Sequence, residues 1–230
     1  MLVAGFPAGS FATNCYIVAP SAGEECVVID PGQDAFDGVE EILREHRLKP
    51  VAVILTHGHL DHVWSVAPVC GAKDVPAYIH PRDRDLLTDP AKGFSASTGQ
   101  IFGGLTLTEP DDVRELADGA VLKLAGLEFT VDHTPGHTPG SVTFRTPADE
   151  ELPDVMFSGD LLFAGSIGRT DLPGGSHEAI LRSLANTCLP LPDTTLVLPG
   201  HGPQTTIGRE RATNPYLTGL APAEGPKKGL

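Results

Sequence analysis

One arrangement occurs twice along the chain and limits how it can fold. The first copy is VVID (27–30), a helical stretch, then AVILTHGH (52–59); the second is VMFSGD (155–160), a helical stretch, then TLVLPGHG (195–202). Each reads strand–Asp, helix, strand–Gly–His. Two similar halves, each a sheet with its helices outside, predict an α+β chain folded as a four-layer αββα sandwich. Both strands of each half would then offer their C-terminal ends to one shared edge, which is where open sheets place ligands.

The rest of the chain fits that plan. Apolar, β-rich runs recur at Asn14–Val18, Glu25–Ile29, Ala52–Leu55, Ala77–Ile79, Ala120–Leu124, Leu127–Val131, Ser141–Arg145, Val155–Phe157 and Thr195–Leu198. Between them Phe36 to His46 carries Phe36, Val39, Ile42 and Leu43 at helical spacing, with acidic residues early in the run. His177 to Ala185 reads as a helix capped by Ser176. A shorter helix is expected over Val63–Cys70, limited by Pro68.

Size and composition set outer bounds. With 230 residues the chain can bury a large core, and one domain over 1–218 is expected, followed by a loose tail over 219–230. A net charge of −14 argues against gripping a nucleic-acid backbone. No apolar run approaches the roughly 20 residues needed to span a bilayer. The opening MLVAGFPAGSFATNCYIV reads as two strands, and the lack of a targeting segment points by default to the cytoplasm. Cys15, Cys26, Cys70 and Cys188 show no C-x-x-C spacing and read as reduced, buried thiols.

Metal-type ligands follow the strand ends. After strand 52–55 come His57, His59, Asp61 and His62; TPGHTPG presents His137, SGD presents Asp160 and PGHG presents His201. Imidazoles and carboxylates together suit zinc, iron or manganese. One ion cannot use so many groups, whereas two ions sharing a carboxylate can.

Taken together, THGHLDH (56–62), HTPGHTPGS (133–141), FSGDLLFAGSIGR (157–169) and LPGHG (198–202) resemble the metallo-β-lactamase-fold hydrolases. Within that superfamily the chain is similar to the glyoxalase II, or hydroxyacylglutathione hydrolase, group. The resemblance implies His57, His59 and His137 on one metal, Asp61, His62 and His201 on a second, and Asp160 bridging. It implies two divalent ions, zinc first with iron or manganese as alternatives. A hydroxide shared by the pair would attack a small-molecule thioester such as S-lactoylglutathione. Asp61 and Asp160 are placed among the catalytic groups, Asp160 orienting the nucleophile; no residue is assigned a proton shuttle.

Other readings compete. Members of that group with a glutathione-gripping C-terminal helical domain extend further, whereas only 29 residues follow His201 here, with Arg209, Arg211 and Tyr216 the remnants. A different thiol carrier therefore stays open. A persulfide dioxygenase would hold a single iron through His57, His137 and Asp160. A metal-stabilised binding protein is a third reading, against which structural zinc sites usually close with four ligands. β-Lactam hydrolysis is disfavoured by the resemblance, since a bridging aspartate at the Asp160 position typifies the other hydrolases.

Several residues carry weaker readings. Arg169 could orient substrate or pair with Asp171 or a carboxylate beneath the site, with the structural role favoured, and Asp30 is expected to hydrogen-bond backbone or a ligand imidazole. His46, His80 and His177 read as structural, His133 as structural or supporting, and Trp64 as core. Residues 89–111 are expected to form a wall of the substrate pocket. Oligomeric state is not legible.

Overall fold

The computed structural model describes residues 1–95, 107–147 and 153–220. One sheet has six strands in the order β1 (Leu2–Ala8), β2 (Thr13–Ala19), β3 (Glu25–Ile29), β4 (Lys49–Ile54), β5 (Ala77–Ile79) and β6 (Val113–Glu115). The other six-stranded sheet contains β7 (Val121–Leu124), β8 (Leu127–His133), β9 (Val142–Thr146), β10 (Val155–Gly159), β13 (Leu196–Pro199) and β14 (Thr205–Thr206), in the order β14-β13-β10-β9-β8-β7. A small hairpin, β11 (Leu162–Phe163) with β12 (Ser166–Ile167), stands apart. The helices are α1 (Ala35–His46), α2 (Leu60–Val63), α3 (Val66–Lys73), α4 (His177–Ser183) and α5 (Ile207–Thr213).

The internal repeat folds as its pattern dictates. β3 pairs in parallel with β4 across α1, and β10 pairs in parallel with β13 across α4. Side chains alternate faces along each strand, so one strand feeds two layers of core. Cys26 and Val28 of β3 join Val39 and Leu43 of α1, while Val27 and Ile29 turn to the inter-sheet core with Phe129, Phe144 and Phe157. On the far side Met156 and Val197 pack with Ile180, Leu184 and Ile207. Three apolar clusters thus separate four layers, which is the αββα sandwich.

Sequence and structure part at the edges of elements. β6, β11, β12 and β14 are two or three residues long, too short to show a period. The expected helix over 63–70 is instead α2 followed by α3, which continues to Lys73. Pro68 sits in the first turn of α3, where its missing N–H has no intrahelical partner to lose. Trp64 is half-buried rather than core, since α2 turns Leu60, His62 and Val63 inward. Leu220 packs partly on the third cluster, inside the stretch expected as tail, and 221–230 lie outside the described residues. All four cysteines are free and buried, and burial pushes the thiols of Cys26, Cys70 and Cys188 up to about 12. No helix among the described residues is long and apolar enough to cross a membrane.

Candidate metal centre

All seven expected ligands meet at the shared edge of the two sheets. Parallel pairing brings the ends of β4, β10 and β13 to one side, and the loop from β8 to β9 supplies His137. Three groups form, each with ligand atoms within 4.8 Å of one another: His57, His59 and His137; His57, His62 and Asp160; Asp61, His62 and His201. Asp160 stands between the halves. Its Oδ1 is 3.4 Å from His62 Nε2, and its Oδ2 is 3.4 Å from His137 Nε2 and 3.7 Å from His201 Nε2. Asp61 Oδ2 lies 3.1 Å from His201 Nε2 and accepts a hydrogen bond from Thr13 Oγ1 at 3.0 Å.

The outward nitrogens are held by fixed groups. His57 Nδ1 lies 3.1 Å from Thr56 Oγ1, His62 Nδ1 is 2.9 Å from Asp30 Oδ2, and His137 Nδ1 donates to the Arg169 carbonyl at 2.8 Å. Such partners fix ring orientation and leave Nε2 with its lone pair inward, as a metal ligand requires. Buried Nε2 of His57 and of His62 and buried Oδ1 of Asp160 have no hydrogen-bond partner, which is costly for an apolar setting and natural for atoms that bind a cation. The donor set fits two divalent ions: neutral imidazoles and carboxylates, shared through Asp160.

Electrostatics agree. Burial, reinforced by neighbouring imidazoles, lowers the pKa of His57 strongly and pushes that of His59 down to about 3. Burial alone would raise Asp61 and Asp160, yet both fall below the usual carboxylate range, chiefly through His62. His62 and His201 rise against their own burial because those carboxylates face them. The aspartates demand positive charge beside them, which imidazolium protons or cations can supply.

Residues that sequence reasoning missed hold the loops together. Asp83 is fully buried, and its carboxylate accepts from Gly58 N at 3.0 Å, Gly140 N at 2.7 Å and Thr138 Oγ1 at 2.6 Å. It therefore ties the His57–His59 loop to the His137 loop. It lay in an unremarkable polar run, HPRDRD, and only the fold carries it under the site. Thr13 and Asn14 join the first sheet to the His201 loop, through a bridge from Thr13 to His201 and a bond from Asn14 N to Gly200 O at 2.7 Å. Gly200 is needed for close approach: a Cβ there would strike Asp160 Oδ1 and lie 2.7 Å from His62 Cε1.

The remaining residues fall mostly into supporting places. His133 Nε2 donates to the Pro139 carbonyl at 2.9 Å, and its ring stacks on His80 with centroids 4.2 Å apart. His46 is half-buried on α1, and exposed His177 begins α4. Arg169 pairs with Asp171 through two bonds of 2.7 Å while still lining the pocket above the site. Of the expected pocket wall, Phe94 lines that pocket and 96–106 lie outside the described residues.

Residues 8–201 match the model of the metallo-beta-lactamase superfamily, and the chain belongs to that superfamily. An uncharacterized protein of Mycobacterium tuberculosis is 49% identical, over 96% of this chain and 100% of its own length. The hydroxyacylglutathione hydrolase GloC of Haemophilus influenzae is 35% identical over 92% of this chain and 95% of its own. Among solved structures, the BLEG-1 B3 metallo-beta-lactamase is 41% identical with a TM-score of 0.84, covering 95% of this chain and 100% of that one. TTHA1623 in a di-iron-bound form is 42% identical with a TM-score of 0.73, covering 91% and 97%. ETHE1 from Myxococcus xanthus is 25% identical with a TM-score of 0.76, covering 96% and 86%.

Proposed function

We propose that this chain is a metal-dependent hydrolase of acyl thioesters, working with two divalent ions. The observation that carries the reading is the placement of Asp160, with one carboxylate oxygen toward His62 and the other toward His137 and His201. His57, His59 and His137 would hold one ion and Asp61, His62 and His201 the other, with Asp160 shared. Such a pair supplies Lewis acidity and lowers the pKa of a water toward neutrality. The chain's own part is orientation. Asp30, Thr56 and the Arg169 carbonyl lock three imidazoles, and Thr13 aims Asp61. The similarity to GloC supports a thioester as substrate, and the di-iron form of TTHA1623 supports a two-ion site; the donor chemistry suits zinc, iron or manganese.

A mononuclear-iron persulfide dioxygenase is the second reading, with His57, His137 and Asp160 as its two-histidine, one-carboxylate set; His57 and His137 share one candidate group, and Asp160 Oδ2 is 3.4 Å from His137 Nε2. Metal content and a substrate panel separate the two. The proposal expects about two ions per chain and anaerobic thiol release from a thioester. One iron per chain with oxygen uptake on a glutathione persulfide would favour the dioxygenase. A penicillin belongs in the same panel, given the likeness to BLEG-1.

A further inference from the structure

The pocket over the candidate metal centre holds about 420 Å³, and apart from the candidate ligands its lining is mostly apolar: Phe11, Phe94, Phe163, Ile167 and Leu172. Phe11 is 39% exposed and lines this pocket, so its ring is open to contact with a ligand there. Phe163, in the β11–β12 hairpin, sets its ring edge-on to His201 with centroids 6.0 Å apart, next to the ligand set. Among the described residues lining this pocket Arg169 is the one Lys or Arg. Its guanidinium is matched by Asp171, whose carboxyl it holds down at about 2.

Resting on the thioester-hydrolase reading, we infer that the preferred substrate carries an apolar acyl chain on an uncharged thiol carrier, not on one bearing free carboxylates. A carboxylate entering this pocket meets an arginine already paired with Asp171, in a chain of net charge −14. An alkyl or aryl group instead covers Phe11 and Phe163, and removing apolar surface from water is favourable. Hydrolysis breaks the C–S bond and forms a C–O bond with water, whose protons end on the released thiol and acid. Selectivity thus arises from the groups flanking that bond.

The test compares hexanoyl thioesters of glutathione and of uncharged N-acetylcysteamine, on full-length protein loaded with metal. A kcat/KM about tenfold or more higher for the uncharged carrier is expected, the scale that one pocket contact provides. Phe11→Ala should raise KM for the hexanoyl substrate with little change in kcat. Asp171→Ala, by freeing Arg169, should narrow the gap through a gain on the glutathione thioester. S-hexyl thioethers of both thiols lack the scissile bond, and calorimetry should rank their affinities in the same order. Equal or better turnover of the glutathione substrate, with Phe11→Ala silent, overturns this inference and leaves the hydrolase reading standing. No turnover of either thioester by metal-replete protein overturns the hydrolase reading and the inference with it.

Discussion

Asp30 and His62 form a buried pair, with Oδ2 2.9 Å from Nδ1, and neither side chain is more than 3% exposed. Asp30 directly follows β3 and His62 lies in α2, so this contact ties the end of the first parallel strand to the helix carrying two candidate ligands. The same carboxylate accepts from Thr56 N at 2.8 Å and Thr56 Oγ1 at 2.6 Å, reaching the segment that carries His57. One buried acceptor therefore orients imidazoles from both candidate metal groups.

Asp30→Asn should weaken metal binding about 10- to 100-fold without unfolding the chain. Competition with a chromophoric chelator measures the affinity, and circular dichroism checks the fold. Unchanged affinity would mean that His62 needs no such partner.

Asp83→Ala should cost stability rather than chemistry alone. It leaves Gly58 N, Gly140 N and Thr138 Oγ1 without their shared acceptor in a buried setting. A loss of about 3 kcal/mol is expected, since each orphaned buried donor costs about 1–3 kcal/mol. Urea unfolding should show a lower midpoint with an unchanged slope.

Gly200→Ala places a methyl group against Asp160 Oδ1 and His62 Cε1. The ligands must move, so thioester turnover and bound metal should fall together. Elemental analysis beside an activity assay checks this; full metal content with normal turnover would contradict the packing described.

His80 offers a pH signature away from the ligands. Burial first, then His133 and Arg82, pushes its pKa down to about 4 from an ordinary value of 6.5. Between those values the unfolded chain binds more protons than the folded one, so stability falls as pH drops through that window. His80→Gln should flatten the slope of unfolding midpoint against pH from about 6.5 to 4 relative to the parent chain.

Much of this was legible before any fold was known, for reasons visible in particular residues. The repeated strand–Asp and strand–Gly–His endings pointed to the pairs β3–β4 and β10–β13, because their strands are continuous apolar runs bounded by turn residues. The seven candidate ligands were legible because each lies in the segment that follows a strand end. Asp83 and Thr13 were not, since nothing local distinguishes a buried tether from a surface turn until distant loops meet. The short hairpin bearing Phe163 was equally silent, although FSGDLLFAGSIGR was noted for its likeness to known hydrolases. Of the partners open to Arg169 from sequence, the structure shows Asp171.

In the proposed mechanism Asp160 joins two cation sites into one hydrolytic centre. Titrating metal-stripped protein with Zn²⁺ while following thiol release from a thioester tests that joining. The rate should climb to a break at about two equivalents per chain. Full turnover without added metal, or a plateau at one equivalent that a second does not raise, would contradict it.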